Sequence, residues 1–191
     1  MTKGRLEAFS DGVIAILITI LVLELKVPHG PSWEALEPLL PVFLTYVLSF
    51  VFIGIYWNNH HHLLHMTTKI SGGILWANLH LLFWLSLVPF TTGWMGENHF
   101  EPLPTAAYGA VLLAAGIAYL ILETAIVRHQ GKDSKLRDAI GGETKGKISA
   151  VLYLVAMLLA FKVRWVSLGI YILVALMWLI PDRRIEKHLR D

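Results

Sequence analysis

The sequence predicts an all-α integral membrane protein of six transmembrane helices with both termini cytoplasmic, and three observations lead there. Hydrophobic residues fill 55% of the 191 positions and charged residues only 16%, a balance far more apolar than that of soluble domains. The charges fall in a few short stretches and do not recur through every helical period. Apolar segments near the length of about 20 residues that a spanning helix needs follow one another along the chain. The absence of cysteine excludes disulfides and thiolate metal sites and leaves the compartment open. A net charge of +2 says little as a total.

The first span, about residues 6 to 26, contains the run FSDGVIAILITILVLEL. Lys3 and Arg5 before an apolar core resemble a secretory signal. However, the core of about 16 residues is interrupted by Thr19 and Glu24 and is followed by KVPHGP, not by a small-residue cleavage site. It is therefore read as a spanning helix. The second span, about 36 to 62, carries Pro38 and Pro41 in its first turns, where a missing amide donor is tolerated. Spans of about 70 to 95 and 104 to 128 follow, the latter preceded by Pro102 and opening on Pro104. The fifth and sixth, about 147 to 163 and 165 to 181, have only KVRW between them, which requires a tight helical hairpin. Pro181 closes the last helix. Residues 1–191 thus form one six-helix domain.

Orientation comes from the placement of charge. With the N-terminus in the cytoplasm and six spans, all of the 16 lysines and arginines face inward except Lys26, Lys162 and Arg164. The loop GENHFEPLP, with two glutamates and no Lys or Arg, then faces outward. HQGKDSKLRDAIGGETKGK becomes a cytoplasmic connector, without a nucleotide-binding glycine pattern.

Polar groups inside spans are expensive, about 2.5 to 3.5 kcal/mol for Asp at a helix centre, so each needs a reason. At 100° per residue, Ile16, Ile20, Leu23 and Phe9 share one face of the first helix, while Asp11 lies about 140° from Ile16 and Ser10 about 120° away on the other side. Ser10 and Asp11 therefore point toward neighbouring helices or headgroups. In YWNNHHHLLH of the second span, Trp57, His61 and His65 recur every four residues; the third span repeats the spacing with Trp76, His80 and Trp84 and adds Asn78. Both stretches lie toward the cytoplasm, level with Ser10 and Asp11. A polar network of Arg5, Phe9, Ser10, Asp11, Trp57, His61, Asn78 and His80 follows, with each bond worth about 0.6 to 2 kcal/mol as packing glue. His61 and His65 have the i, i+4 spacing of zinc ligands. With no HExxH glutamate and no cysteine, interfacial hydrogen bonding is the preferred reading and no metal is expected.

RLEAFSDGVIAILITILVLELKVP, YWNNHHHLLH and NLHLLFWLSLVPFTTGWMGE together resemble the bacterial branch of the transmembrane protein 175 family of potassium channels. The most specific element is R-x-x-x-F-S-D, here Arg5, Phe9, Ser10 and Asp11. The resemblance implies a homotetramer in the bacterial inner (plasma) membrane with helix one lining a central pore. The partners it implies are the lipid bilayer, monovalent cations and other copies of the chain, without nucleic acid. It implies no cofactor beyond permeant potassium. It further implies that Ile16, Ile20 and Leu23 form apolar constriction rings, narrow enough for water to leave. Thr19, about 60° off that stripe, either borders the pore or bonds back to the carbonyl of Ile16 or Ala15.

The expected function is a passive, weakly discriminating potassium channel, possible proton leak included, and not an enzyme. A proton-coupled transporter built on the His/Asp cluster is the alternative. It would call for inverted repeats and broken helices, and the sequence displays neither pattern convincingly.

Overall fold

The computed structural model describes residues 2–130 and 144–179, all helix and turn. The expectations for the polar connector, for Pro181 and for the basic residues after it lie outside the described residues. Helix α1 (Lys3–Leu21) starts from an extended Thr2 and tightens at its end into one 3-10 turn, Val22–Glu24. Two further short turns, Trp33–Ala35 and Glu37–Leu39, lead into α2 (Leu40–His65). Pro38 sits in the second of these turns and Pro41 at the start of the helix, so neither removes a bond the helix needs.

The third span is two helices. Ser71 caps α3 (Gly72–Ser86), its Oγ accepting from the Ile74 amide at 3.4 Å. The helix ends at Leu87, and α4 (Val88–Glu97) continues. Pro89 explains the break: its nitrogen cannot donate to Leu85, and its ring crowds that carbonyl. Threonine hydroxyls bond back to carbonyls just after the break, with Thr92 Oγ1 donating to Val88 O at 2.7 Å and Thr91 Oγ1 lying 3.2 Å from both Leu87 O and Val88 O. The two helices together make up one apolar segment, Gly72–Glu97, long enough to cross a membrane, and a hydropathy window does not register the single proline that breaks it.

The α4 terminus folds into a Schellman turn. His99 and Phe100 both take positive φ, 47° and 60°. The Phe100 amide donates to Met95 O at 3.0 Å and the His99 amide to Gly96 O at 3.2 Å. Phe100 and Met95, the two positions that such a turn commonly pairs, are both buried. Helix α5 (Pro102–Gln130) begins at once with proline at the position that best tolerates it. Helices α6 (Thr144–Ala160) and α7 (Arg164–Leu179) are joined by three residues, the tight hairpin foreseen.

By length and composition four segments suffice to cross a membrane: Lys3–Glu24, Trp33–His65, Gly72–Glu97 and Pro102–Gln130. Arg164–Leu179 is apolar but shorter, about 24 Å at 1.5 Å per residue. α5 packs against α3, α4 and α6, α2 against α4, and α1 against α2 and α3. Lipid is as apolar as leucine, so close fit and polar bonds, more than hydrophobicity, must hold such a bundle. The fit is visible where glycine allows it. A Cβ on Gly96 would stand 2.6 Å from Thr45 Oγ1 and 2.8 Å from the Val42 Cα, and one on Gly109 would collide with Tyr171. A buried hydroxyl chain crosses the same core: Ser49 Oγ lies 2.6 Å from Thr92 Oγ1 and 2.9 Å from Tyr108 Oη.

Candidate functional site: the open face of the first helix

Helix α1 is two-sided. Leu6, Ser10, Ile14, Leu17 and Leu21 recur every three or four residues and are buried. On the opposite arc Arg5, Ala8, Phe9, Gly12, Ala15, Ile16, Thr19, Ile20 and Leu23 are all exposed on the single chain. Ile16 is 58% exposed, Ile20 37% and Leu23 76%. The structure therefore brings these three onto one uncovered strip. Thr19 lies on that arc too, and its Oγ1 donates to Ile16 O at 2.8 Å, so of the two alternatives the back-bond is made without removing the residue from the open face.

The buried side is fixed by hydrogen bonds. Asn78 Nδ2 donates to Ser10 Oγ at 2.9 Å, and Asn78 Oδ1 faces His60 Nε2 at 2.7 Å, all three side chains buried. An amide oxygen only accepts, so His60 carries its proton on Nε2, and its bare Nδ1 is buried without a partner. Beside this chain, Trp57 Nε1 donates to Asp11 Oδ1 at 3.1 Å. The Trp57 ring stacks on His61 with centroids 6.0 Å apart, and His61 stacks on His65 at 6.1 Å. Lys3 Nζ donates to the His65 carbonyl at 2.6 Å.

Of the polar residues expected together, Ser10, Asp11, Trp57, His61 and Asn78 do gather where α1 meets α2 and α3. Arg5 and Phe9 do not join them; both are exposed on the arc of Ile16. His80 is exposed as well, accepting from Trp84 Nε1 of its own helix at 2.9 Å. The histidine bonded to Asn78 is His60, not His61 or His80. The every-fourth recurrence of Trp57, His61 and His65 drew attention to the neighbouring stripe. The buried progression Ser49, Ile53, His60, Leu64 on α2 is the signal that could have located His60.

Past the C-terminal end of α1 the Glu24 carboxylate lies against Gly93 of α4, in space a Cβ would fill. Lys26 Nζ pairs with Glu97 at 2.5 Å. The hydrogen bond to Glu97, and then its charge, hold Lys26 above the ordinary lysine value. Among the described residues no three His, Asp or Glu side chains gather as metal ligands would.

A family model described as the endosomal/lysosomal potassium channel TMEM175 matches residues 5–89. A potassium channel of Chryseobacterium sp. (strain P1-3) is 57% identical over 191 residues, all of both chains. The chain belongs to the TMEM175 family. The crystal structure of a lysosomal potassium-selective TMEM175 homologue from Chamaesiphon minutus is 32% identical, with a TM-score of 0.77 over 93% of this chain and 96% of that one. The human endosomal/lysosomal proton channel TMEM175 is 31% identical over 84% of this chain and 36% of its own length. The TMEM175 family is one of ion channels and not of enzymes, and its matched region, residues 5–89, holds the open face of α1 and the polar contacts behind it.

Proposed function

We propose that this chain conducts potassium through a central pore made by four copies, each contributing the open face of α1. The observation that carries the reading is the strip Ile16, Ile20 and Leu23, left uncovered on a helix whose other side is packed and hydrogen-bonded. Repeated around an axis, these side chains form apolar rings that control passage by wetting and dewetting. Thr19 flanks the rings. Ser10, Asp11, Trp57, Asn78 and the histidines behind them hold the rotation of α1, so they act on the pore through position. Arg5 and Phe9 continue the strip toward the cytoplasm. The arrangement uses six membrane passages with both termini cytoplasmic, in the plasma membrane, and needs no cofactor. Relatives named for potassium and for protons favour a pore that passes both.

Purified protein in liposomes should release potassium down its gradient without nucleotide or substrate. Ile16→Asn, which wets the ring, should raise the flux and reduce the preference for potassium over sodium. No flux from the parent protein and no change from Ile16→Asn would defeat the pore assignment.

One feature favours a transporter, the break at Leu87, since broken helices build transporter sites. Here the break is a single residue between two otherwise continuous helices and has no second counterpart among the described residues. Saturable, substrate-dependent uptake would reinstate that reading.

A further inference from the structure

Two complementary polar groups lie uncovered at one membrane level on opposite flanks of α1. Two contacts set that level. Ser10 meets Asn78, 68 positions on, and Glu24 meets Gly93 at nearly the same offset. The third span therefore runs parallel and in register with α1, placing His80 beside Gly12, Trp76 beside Ala8 and Phe83 beside Ala15. Asp11 and His80 then sit within about 1.5 Å of each other in depth, and Asp11 lies about 9 Å along the helix from Arg5.

Each group has unspent hydrogen-bonding capacity. His80 Nε2 accepts from Trp84, so the neutral ring carries its proton on Nδ1, and that N–H has no hydrogen-bond partner among the described residues. Asp11 accepts from Trp57 through Oδ1 and is only half-buried, its second oxygen without a described donor. Facing lipid, both would be costly. They cannot reach one another within one copy: Asp11 faces the α2 side of α1, whereas His80 stands on the exposed side of α3, about 160° around that helix from Asn78.

Rotation about an axis parallel to the helices preserves depth and brings the α2 flank of one copy to the α3 flank of the next. On the α2 flank Ala8, Gly12 and Ala15 are small and exposed, with nothing within 4 Å of a Cβ on Gly12. At the same depths on the α3 flank, Trp76 and Phe83 are 75% and 55% exposed. Large side chains thus stand opposite small ones, the pattern by which membrane helices approach closely.

We infer that neighbouring copies join head to tail through this surface, His80 Nδ1–H of one donating to the Asp11 carboxylate of the next, with Trp76 and Phe83 laid on Ala8, Gly12 and Ala15. The inference rests on the ring assembly proposed above. It adds which surfaces meet, and it makes His80 an interface residue, not part of the network inside the subunit.

The chain has no cysteine, so crosslinking needs no background removal. Ala8→Cys and Trp76→Cys in one chain, oxidised in membranes, should give a ladder reaching tetramer, while two differently tagged chains each carrying one of the changes should give mixed dimers. His80→Ala should raise the subunit dissociation constant about three- to thirtyfold, and His80→Gln, which keeps an N–H donor, should recover part of that. Crosslinking by Ala8→Cys alone would mean that first helices meet each other, and would overturn the surface. So would tetramers by light scattering that never crosslink through the pair. Monomeric parent protein would instead remove the ring itself.

Discussion

The two faces of α1 differ in what covers them. One carries five buried residues, a hydrogen-bonded serine among them; the other leaves isoleucine and leucine uncovered two positions away. The helix shows that in a membrane an exposed leucine is not evidence of misfit, since lipid accepts it at no cost. Polar bonds and close fit identify the packed side. The open side is recognised by contrast, as the stretch where neither occurs.

The sharpest test of that contrast places one change on each face. Ile14 is fully buried and Ile16 is 58% exposed. Ile14→Asn loses packed volume and buries an amide without partners, and should cost about 3 to 5 kcal/mol, read as a lower midpoint of thermal unfolding in detergent. Ile16→Asn should leave that midpoint close to the parent's, a change within about 0.5 kcal/mol, while altering flux. Equal destabilisation by both would abolish the distinction between the faces.

A smaller loss, about 1 to 3 kcal/mol, is expected of Asn78→Leu, which keeps the volume but strands the Ser10 hydroxyl and His60 Nε2 together. The same measurement detects it, and a change confined to flux with an unaltered midpoint would show that the bonds tune the pore without holding the helix. Gly96→Ala should cost a comparable 1 to 3 kcal/mol, roughly, because the backbone of α2 at Val42 stands in the way of the added carbon. Gly12→Ala, in open space on α1, is its control and should be neutral in dissociated subunits. The smallest effect belongs to Thr19→Val: removing an exposed back-bond should shift stability by less than about 0.5 kcal/mol. A larger shift would mean that this hydroxyl is committed to structure.

Much of this was legible in the sequence, for identifiable reasons. The face shared by Ile16, Ile20 and Leu23 follows from helical periodicity alone, and the opposite placement of Ser10 follows with it. Asn78 and Trp57 could be named as partners because they lie at the right depth. Three things were not legible. His60 differs from His61 only by 100° of rotation, which depends on how α2 packs and not on its own composition. The break at Leu87 turns on Pro89 within a run that remains apolar throughout. Arg5 and Phe9 belong to the same short pattern as Ser10 and Asp11, yet neighbours in sequence point in different directions around a helix, so a shared motif does not mean a shared contact.

The two contacts that hold α1 in register with the third span also limit how it can move. Ser10 on Asn78 and Glu24 on Gly93 act as stops at opposite ends. A slide of one residue, about 1.5 Å, would break the first and drive the second carboxylate off its glycine seat. Twisting about the long axis would pull Ser10 from Asn78 as well. Between the stops Ile14, Leu17 and Leu21 are buried, so the strip of Ile16, Ile20 and Leu23 rides on a segment pinned at both ends and packed along its back.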